Sequence, residues 1–221
     1  ALISSVNDFS KWLMLNINKG TLNGKTFFST KSFRTLTTPH TNFRVGYNTE
    51  NVHFKSYGLG WRLQDYEGAK IVSHSGGYDG MISKSFFIPE KKLGVVILTN
   101  NLNWLTGALT YKILDVLLTN NLDGKDWSST YLKFKTKQDS TVTLKFKANE
   151  ALRGKLNKRH LSLKEYTGIY KDKMYGTVTV SLKNKQLHFS MDETPIFYAT
   201  LKHWNHHIFT FRFPKNLASL P

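Results

Sequence analysis

The apolar positions of the chain change period as it is read from one end to the other. Val6, Phe9, Trp12, Leu13 and Ile17 recur at helical spacing, which predicts an amphipathic helix. Ser5 is placed to cap it, with Asp8 three residues on, and Gly20 to end it. A second, shorter helix is predicted between Ser29 or Thr30 and Pro39, with Phe33 and Leu36 facing inward. Thr41 to Phe54 is polar without a period and reads as loop. The period then becomes two. Tyr57, Leu59, Trp61 and Leu63 alternate in "YGLGWRLQDY", which predicts a strand with those four residues on one face. The turn "YEGAK" leads into "KIVSHSGG", and "MISKSFFIP" and "LGVVILTN" follow as further strands. "LGVVILT" is continuously apolar, the signature of a strand buried on both faces. Helical spacing returns at Leu105, Leu109, Ile113, Val116 and Leu117, predicting a helix that covers the sheet.

Residues 123–161 carry mixed signals. Trp127, Tyr131 and Phe134 suit a helix, whereas "STVTLKFK" alternates like a strand; helix is the reading adopted. From Ser162 the pattern is purely β: "YTGIY", "GTVTVSL", "QLHFSM", "IFYATLKHW" and "HIFTFRF" are short alternating segments. Lys183–Lys185, around Asn184, is the clearest hairpin turn. The fold class expected is α+β: an antiparallel sheet packed by helices, then a small all-β, barrel-like domain. The expected organisation is a first domain over 1–122, a basic and helical linker over 123–161, and a β-domain over 162–221. The chain opens on Ala1, at a helix start, and closes abruptly after "FPKNLASLP". Both ends are expected to continue in a longer natural protein.

Composition narrows the chemistry. A chain of 221 residues that is 40% hydrophobic can bury a core, and 14% aromatic residues argue against disorder. There is no cysteine, which excludes disulfides, thiolate metal sites and a cysteine nucleophile. The longest apolar runs are too short to span a bilayer as a helix. The net charge is +16, with the excess concentrated around residues 133–164. Such a field attracts polyanions, but no nucleic-acid motif accompanies it, and a solvated lysine-rich surface explains it as well.

The candidate chemistry lies in Val72–Gly80, "VSHSGGYDG". His74 and Ser75 are adjacent on a strand, so their side chains face apart, and the imidazole is badly placed to take its neighbour's proton. Gly76 and Gly77 leave a bare strip of backbone that a ligand can approach. Exposed N–H groups beside a histidine suit an anion or oxyanion site; a glycine-rich strand end with a surface histidine fits equally well. G-x-S-x-G is absent. His203, His206 and His207 lack carboxylates at ligand spacing, which favours strand packing over a metal site. Tyr57, Trp61, Tyr66 and Tyr78 suit a ligand cleft, or more commonly a core.

The block "YGLGWRLQDYEGAKIVSHSGGYDGMISKSFFIPEKKLGVVILTN" resembles the last sheet strands of the serine β-lactamase-related hydrolases, which include class C β-lactamases and penicillin-binding-protein-like enzymes. "SSVNDFSKWL" is similar to the helix those proteins place after their active-site middle region. The stretch from Leu161 to Phe213 resembles the lipocalin-like β-domain that follows many of them. The resemblance implies acyl transfer through a serine drawn from S-x-x-K, aided by the tyrosine of Y-x-N and faced by K-[ST]-G. His74-Ser75-Gly76 matches the third motif with histidine for lysine. By that likeness, His74 and Ser75 hold the substrate carboxylate or relay protons. Gly77 gives an oxyanion-hole N–H, and Gly76 and Tyr78 line the substrate.

S-x-x-K and Y-x-N do not occur in the chain. Ser5-Val6-Asn7 matches S-x-N, but Ser5 is better used as a helix cap. The leading expectation is therefore the C-terminal part of a bacterial serine hydrolase acting on a β-lactam, a D-amino-acid peptide or an ester. It would be inactive alone, free of metal and cofactor, and periplasmic or secreted. Its partners would be a small-molecule or peptide substrate and the missing N-terminal half, with no specific nucleic acid. Two alternatives stand beside it: a non-catalytic ligand-binding module of the same fold, and a basic polyanion binder.

Overall fold

The computed structural model describes residues 2–46, 51–78, 80–153 and 160–213. It divides into two compact units, 1–136 and 137–221, and each is described by itself. Among the described residues no helix is long and apolar enough to cross a membrane.

The first unit opens with α1 (Val6–Ile17), whose first turn is capped by Ser5 Oγ accepting the Asp8 N–H at 3.2 Å. Ser5 is therefore committed to the helix start. Gly20 follows at φ +105°, with the Phe28 carbonyl so close that any Cβ would overlap it, so only glycine fits the exit. A small hairpin, β1 (Thr21–Leu22) and β2 (Lys25–Thr26), leads to α2 (Thr30–Leu36), capped by Ser29 Oγ. Six strands then form an antiparallel sheet in chain order: β3 (Thr41–Phe43), β4 (Lys55–Tyr57), β5 (Arg62–Tyr66), β6 (Ala69–Tyr78), β7 (Met81–Ile88) and β8 (Leu93–Thr99). The helix α3 (Leu105–Thr119) comes next.

Alternation sorts the sheet residues onto two faces. Leu63, Val72 and Phe87 pack with Trp61 against Leu13 of α1 and Phe33 of α2. Ile71, Phe86, Ile88 and Tyr66 pack with Leu114 of α3. A buried polar node ties the second face together. The Asp115 carboxylate accepts from the Tyr66 hydroxyl at 2.5 Å and from the Trp127 indole N–H at 2.6 Å. Burial and the adjoining carboxylate push the Tyr66 phenol far above its ordinary range.

Three sequence expectations are corrected here. "YGLGWRLQDY" is two strands: the chain turns at Gly58–Trp61, where the Gly58 N–H meets the Trp61 carbonyl at 2.8 Å, and Leu59 at the turn is exposed. Alternation carried the pattern across a turn it does not report. Thr41–Phe43 is a strand, paired with Lys55–Tyr57 through backbone bonds that need no apolar period. β8 is not buried on both faces but forms the sheet's edge, with Leu93 and Leu98 exposed. Among the described residues no strand pairs with its outer side.

In the second unit the helical reading of the linker corresponds to α4 (Trp127–Arg153), which begins in the first unit. Five strands follow: β9 (Gly168–Asp172), β10 (Gly176–Lys183), β11 (Gln186–Met191), β12 (Tyr198–Asn205) and β13 (Ile208–Thr210). They form an antiparallel meander curled into a half-barrel. Asn184 and Lys185, both at positive φ, make the predicted two-residue turn between Lys183 and Gln186. Leu187, Phe189 and Ala199 are its buried apolar residues, with Phe211 4.6 Å from Phe189 between ring centres. The overall class, an antiparallel sheet with helices followed by a barrel-like β-unit, is the one the sequence predicted.

Phe87→Ala, at a fully buried position shared by the first core cluster, is expected to cost about 3–5 kcal/mol. Leu98→Ala, at the exposed edge, is expected to cost under about 1 kcal/mol. Urea unfolding of the two variants checks the contrast.

Candidate active-site wall on strand β6

The candidate residues occupy the outer half of β6, and a mismatch of strand lengths defines their setting. β6 has ten residues and β5 has five. β5 pairs with Ala69–Ser73 only, whereas β7 pairs with Val72–Tyr78. His74 to Tyr78 therefore overhang β5, held on one side alone, and all five are exposed.

Register fixes which backbone groups face the open side. Tyr66 and Ala69 flank the two-residue turn Glu67–Gly68, so they exchange backbone bonds across it. Bonding alternates along an antiparallel strand. Ala69, Ile71 and Ser73 thus direct their N–H and C=O groups to β5, and Ser75 and Gly77 direct theirs the same way, past its end. The N–H of Gly77 lies on the unpaired edge of β6.

The glycines are not demanded by crowding. A Cβ on Gly76 would press on the Ser83 hydroxyl at 2.7 Å, and one on Gly77 on the Ile82 methyl at 3.1 Å. Both obstacles are movable side-chain ends. What the two glycines do is leave the strip bare.

The structure separates the two adjacent candidates. His74 Nε2 lies 2.9 Å from the Tyr57 hydroxyl, with the rings edge to face. Phe43 continues this aromatic row, 6.3 Å from Tyr57. Ser75 instead lines a cavity of about 460 Å³ between the sheet and α3. There Lys84, its partner across β7, donates to the Ser73 hydroxyl at 3.1 Å. Burial, and secondarily the Arg62 guanidinium, lower the Lys84 pKa to about 8. Tyr78 is exposed at the strand end. Of the other tyrosines and tryptophans on the strands, Trp61 and Tyr66 are core residues and Tyr57 is the one that joins the candidate site. The pairing of Tyr57 with His74 spans a strand and two turns, so no local motif announced it. Lys84 and Arg62 carried no sequence signal, because each is one cation in a basic chain.

The histidines of the second unit are held by local bonds. His203 Nε2 lies 2.8 Å from the His206 carbonyl, and His207 Nδ1 lies 2.7 Å from the Tyr166 hydroxyl. Among the described residues no cluster could hold a metal ion.

With this geometry in place, comparison gives the family. Residues 1–118 match the beta-lactamase family, and residues 152–220 match a domain of unknown function, DUF3471. The chain belongs to the beta-lactamase family. It is 30% identical over 137 residues to an unguisins hydrolase of Aspergillus campestris, covering 59% of this chain and 24% of that protein. It is 28% identical over 152 residues to an unguisins hydrolase of Aspergillus violaceofuscus, covering 63% and 27%. The chain thus spans about a quarter of the length of these curated relatives. Among solved structures, the octameric penicillin-binding protein homologue from Pyrococcus abyssi aligns with 90% of this chain and 37% of its own, at 22% identity and a TM-score of 0.45.

Lys84→Met is expected to raise stability at neutral pH by on the order of 2 kcal/mol. The folded state holds the ammonium at a cost, because its pKa there is about 8 against a usual 10.5. That cost is full below pH 8 and vanishes above 10.5, so the gain from the substitution should shrink across that interval. Thermal unfolding at pH 7 and pH 10.5 checks the sign.

Proposed function

We propose that this chain supplies one wall of a serine-hydrolase site that works by acyl transfer on a β-lactam, a D-amino-acid peptide or an ester. The observation that carries the reading is the overhang of β6, which puts the Gly77 N–H on an open edge beside the His74–Tyr57 pair. Membership of the beta-lactamase family and the hydrolase names of the relatives support it.

In this reading a substrate carbonyl lies against the β6 edge, and the Gly77 N–H donates to its developing oxyanion. The second donor is the nucleophile's own N–H. His74 contacts the substrate carboxylate or passes a proton, and the Tyr57 hydroxyl holds the imidazole in place at 2.9 Å. The nucleophilic serine and its lysine come from an S-x-x-K outside these 221 residues, since the chain has none. A binding module without chemistry is the second reading, favoured by the lack of both S-x-x-K and Y-x-N here. The coding sequence that precedes this segment separates the two, because only the enzyme requires both motifs in it.

Incubation of the 221-residue chain with a fluorescent penicillin should give no covalent label, and a label on any of its serines would overturn the assignment. In the protein extended to include an S-x-x-K, Gly77→Pro removes one donor and should slow acylation roughly 10²–10³-fold. Stopped-flow acylation kinetics measure that loss.

A further inference from the structure

The cavity beneath Ser75 has no part in the reading above, and its walls are chemically one-sided. Lys55, Arg62 and Lys84 line it as cations, and among the described residues no aspartate or glutamate lines it. All three lie on one sheet face with Ser73 and Ser75. Arg62 stands opposite Ser73, and Lys84 opposite Ser75. The remaining wall mixes the apolar and aromatic side chains of Ile71, Leu114, Tyr111 and Trp104 with the neutral polar ones of Gln64, Thr106 and Thr110.

Lys84 is the telling residue. Its ammonium has three protons to donate, and among the described residues its one hydrogen-bond acceptor is the Ser73 hydroxyl. The Arg62 guanidinium, of like sign, acts on it. A partly buried ammonium with no carboxylate paired to it among the described residues, held beside a guanidinium, works against folding. A bound anion reverses that sign. The volume, about 460 Å³, lies within the range of small-molecule pockets and is far larger than a bare inorganic ion requires.

We propose that this cavity binds a small organic oxyanion, with its charged end between Lys84 and Arg62 and its apolar body against Ile71, Leu114 and Tyr111. The ligand class is a carboxylate or phosphate monoester carrying a compact apolar or aromatic group. The charged end takes the unused ammonium protons and the guanidinium, with the Ser75 hydroxyl beside it. The site lies on the α3 side of the sheet, and neither the Gly77 N–H nor the His74 imidazole lines it.

Calorimetric titration of the 221-residue chain at pH 7 tests this with four probes: benzoate, phenyl phosphate, inorganic phosphate and benzamide. One-to-one binding of benzoate or phenyl phosphate is expected, and whichever binds tighter assigns the headgroup. Inorganic phosphate should bind at least tenfold more weakly, and benzamide, neutral and of the same shape, should not bind. Lys84→Met and Arg62→Gln should each weaken binding at least tenfold. Lys84→Met should do so while raising the unfolding midpoint of the free protein, which separates lost binding from lost fold. The ¹³Cε resonance of Lys84 should shift on addition of the bound probe. The absence of heat with both organic anions up to millimolar concentration would overturn the proposal. So would equal binding of benzamide, equal binding of inorganic phosphate, or unchanged affinity in Lys84→Met.

Discussion

The pairing of a ten-residue strand with a five-residue neighbour governs the candidate chemistry of this chain. β5 pairs with the first half of β6, Ala69–Ser73, and β7 with Val72–Tyr78, so the second half from His74 onward is held by β7 alone. Backbone groups normally cannot stay unpaired in a packed sheet. At a strand overhang they can, because solvent or a ligand reaches them. The free N–H of Gly77 and the exposed imidazole of His74 follow from that one difference in length.

The same strand serves the other side of the sheet. His74 meets the Tyr57 hydroxyl while Ser75 lines the cavity under α3, so neighbours in sequence belong to different chemical settings. What keeps α3 over that cavity is the packing of Leu114 on Ile71, Phe86 and Ile88, together with the Asp115 node to Tyr66 and Trp127. Two buried donors on one carboxylate join β5, α3 and the start of α4. A low-dielectric setting makes such a node directional and costly to break. Lys84 sits in the same layer, and among the described residues its one acceptor is the Ser73 hydroxyl.

The strands that carry the β6 wall fall within residues 1–118, which match the beta-lactamase family, while the separate match of residues 152–220 accords with a β-unit that has its own core. Phe189, Phe211 and Phe213 cluster within the half-barrel, and Arg153 donates twice to the His203 carbonyl, at 3.2 and 3.0 Å. These contacts are internal to the second unit.

Much of the architecture was legible in the residues, because it rests on local physics. Ser5 and Ser29 cap helices through bonds to backbone three residues on. The Asn184 turn, the strands of the second unit and the glycine strip of β6 follow from conformational preference and period. The misreadings share one cause: Leu59 at a turn, the strand at Thr41–Phe43 and the edge position of β8 depend on which strands lie alongside, and period two carries no record of neighbours. The same holds at the site. The sequence alone determined that His74 and Ser75 face apart and that Gly76 and Gly77 are bare. Only the tertiary structure decided that β5 stops at Ser73's partner, that Tyr57 meets His74, and that Lys84 is buried within reach of the Arg62 charge. Alternation is a property of one strand, whereas pairing length and charge environment are properties of the strands and helices packed around it.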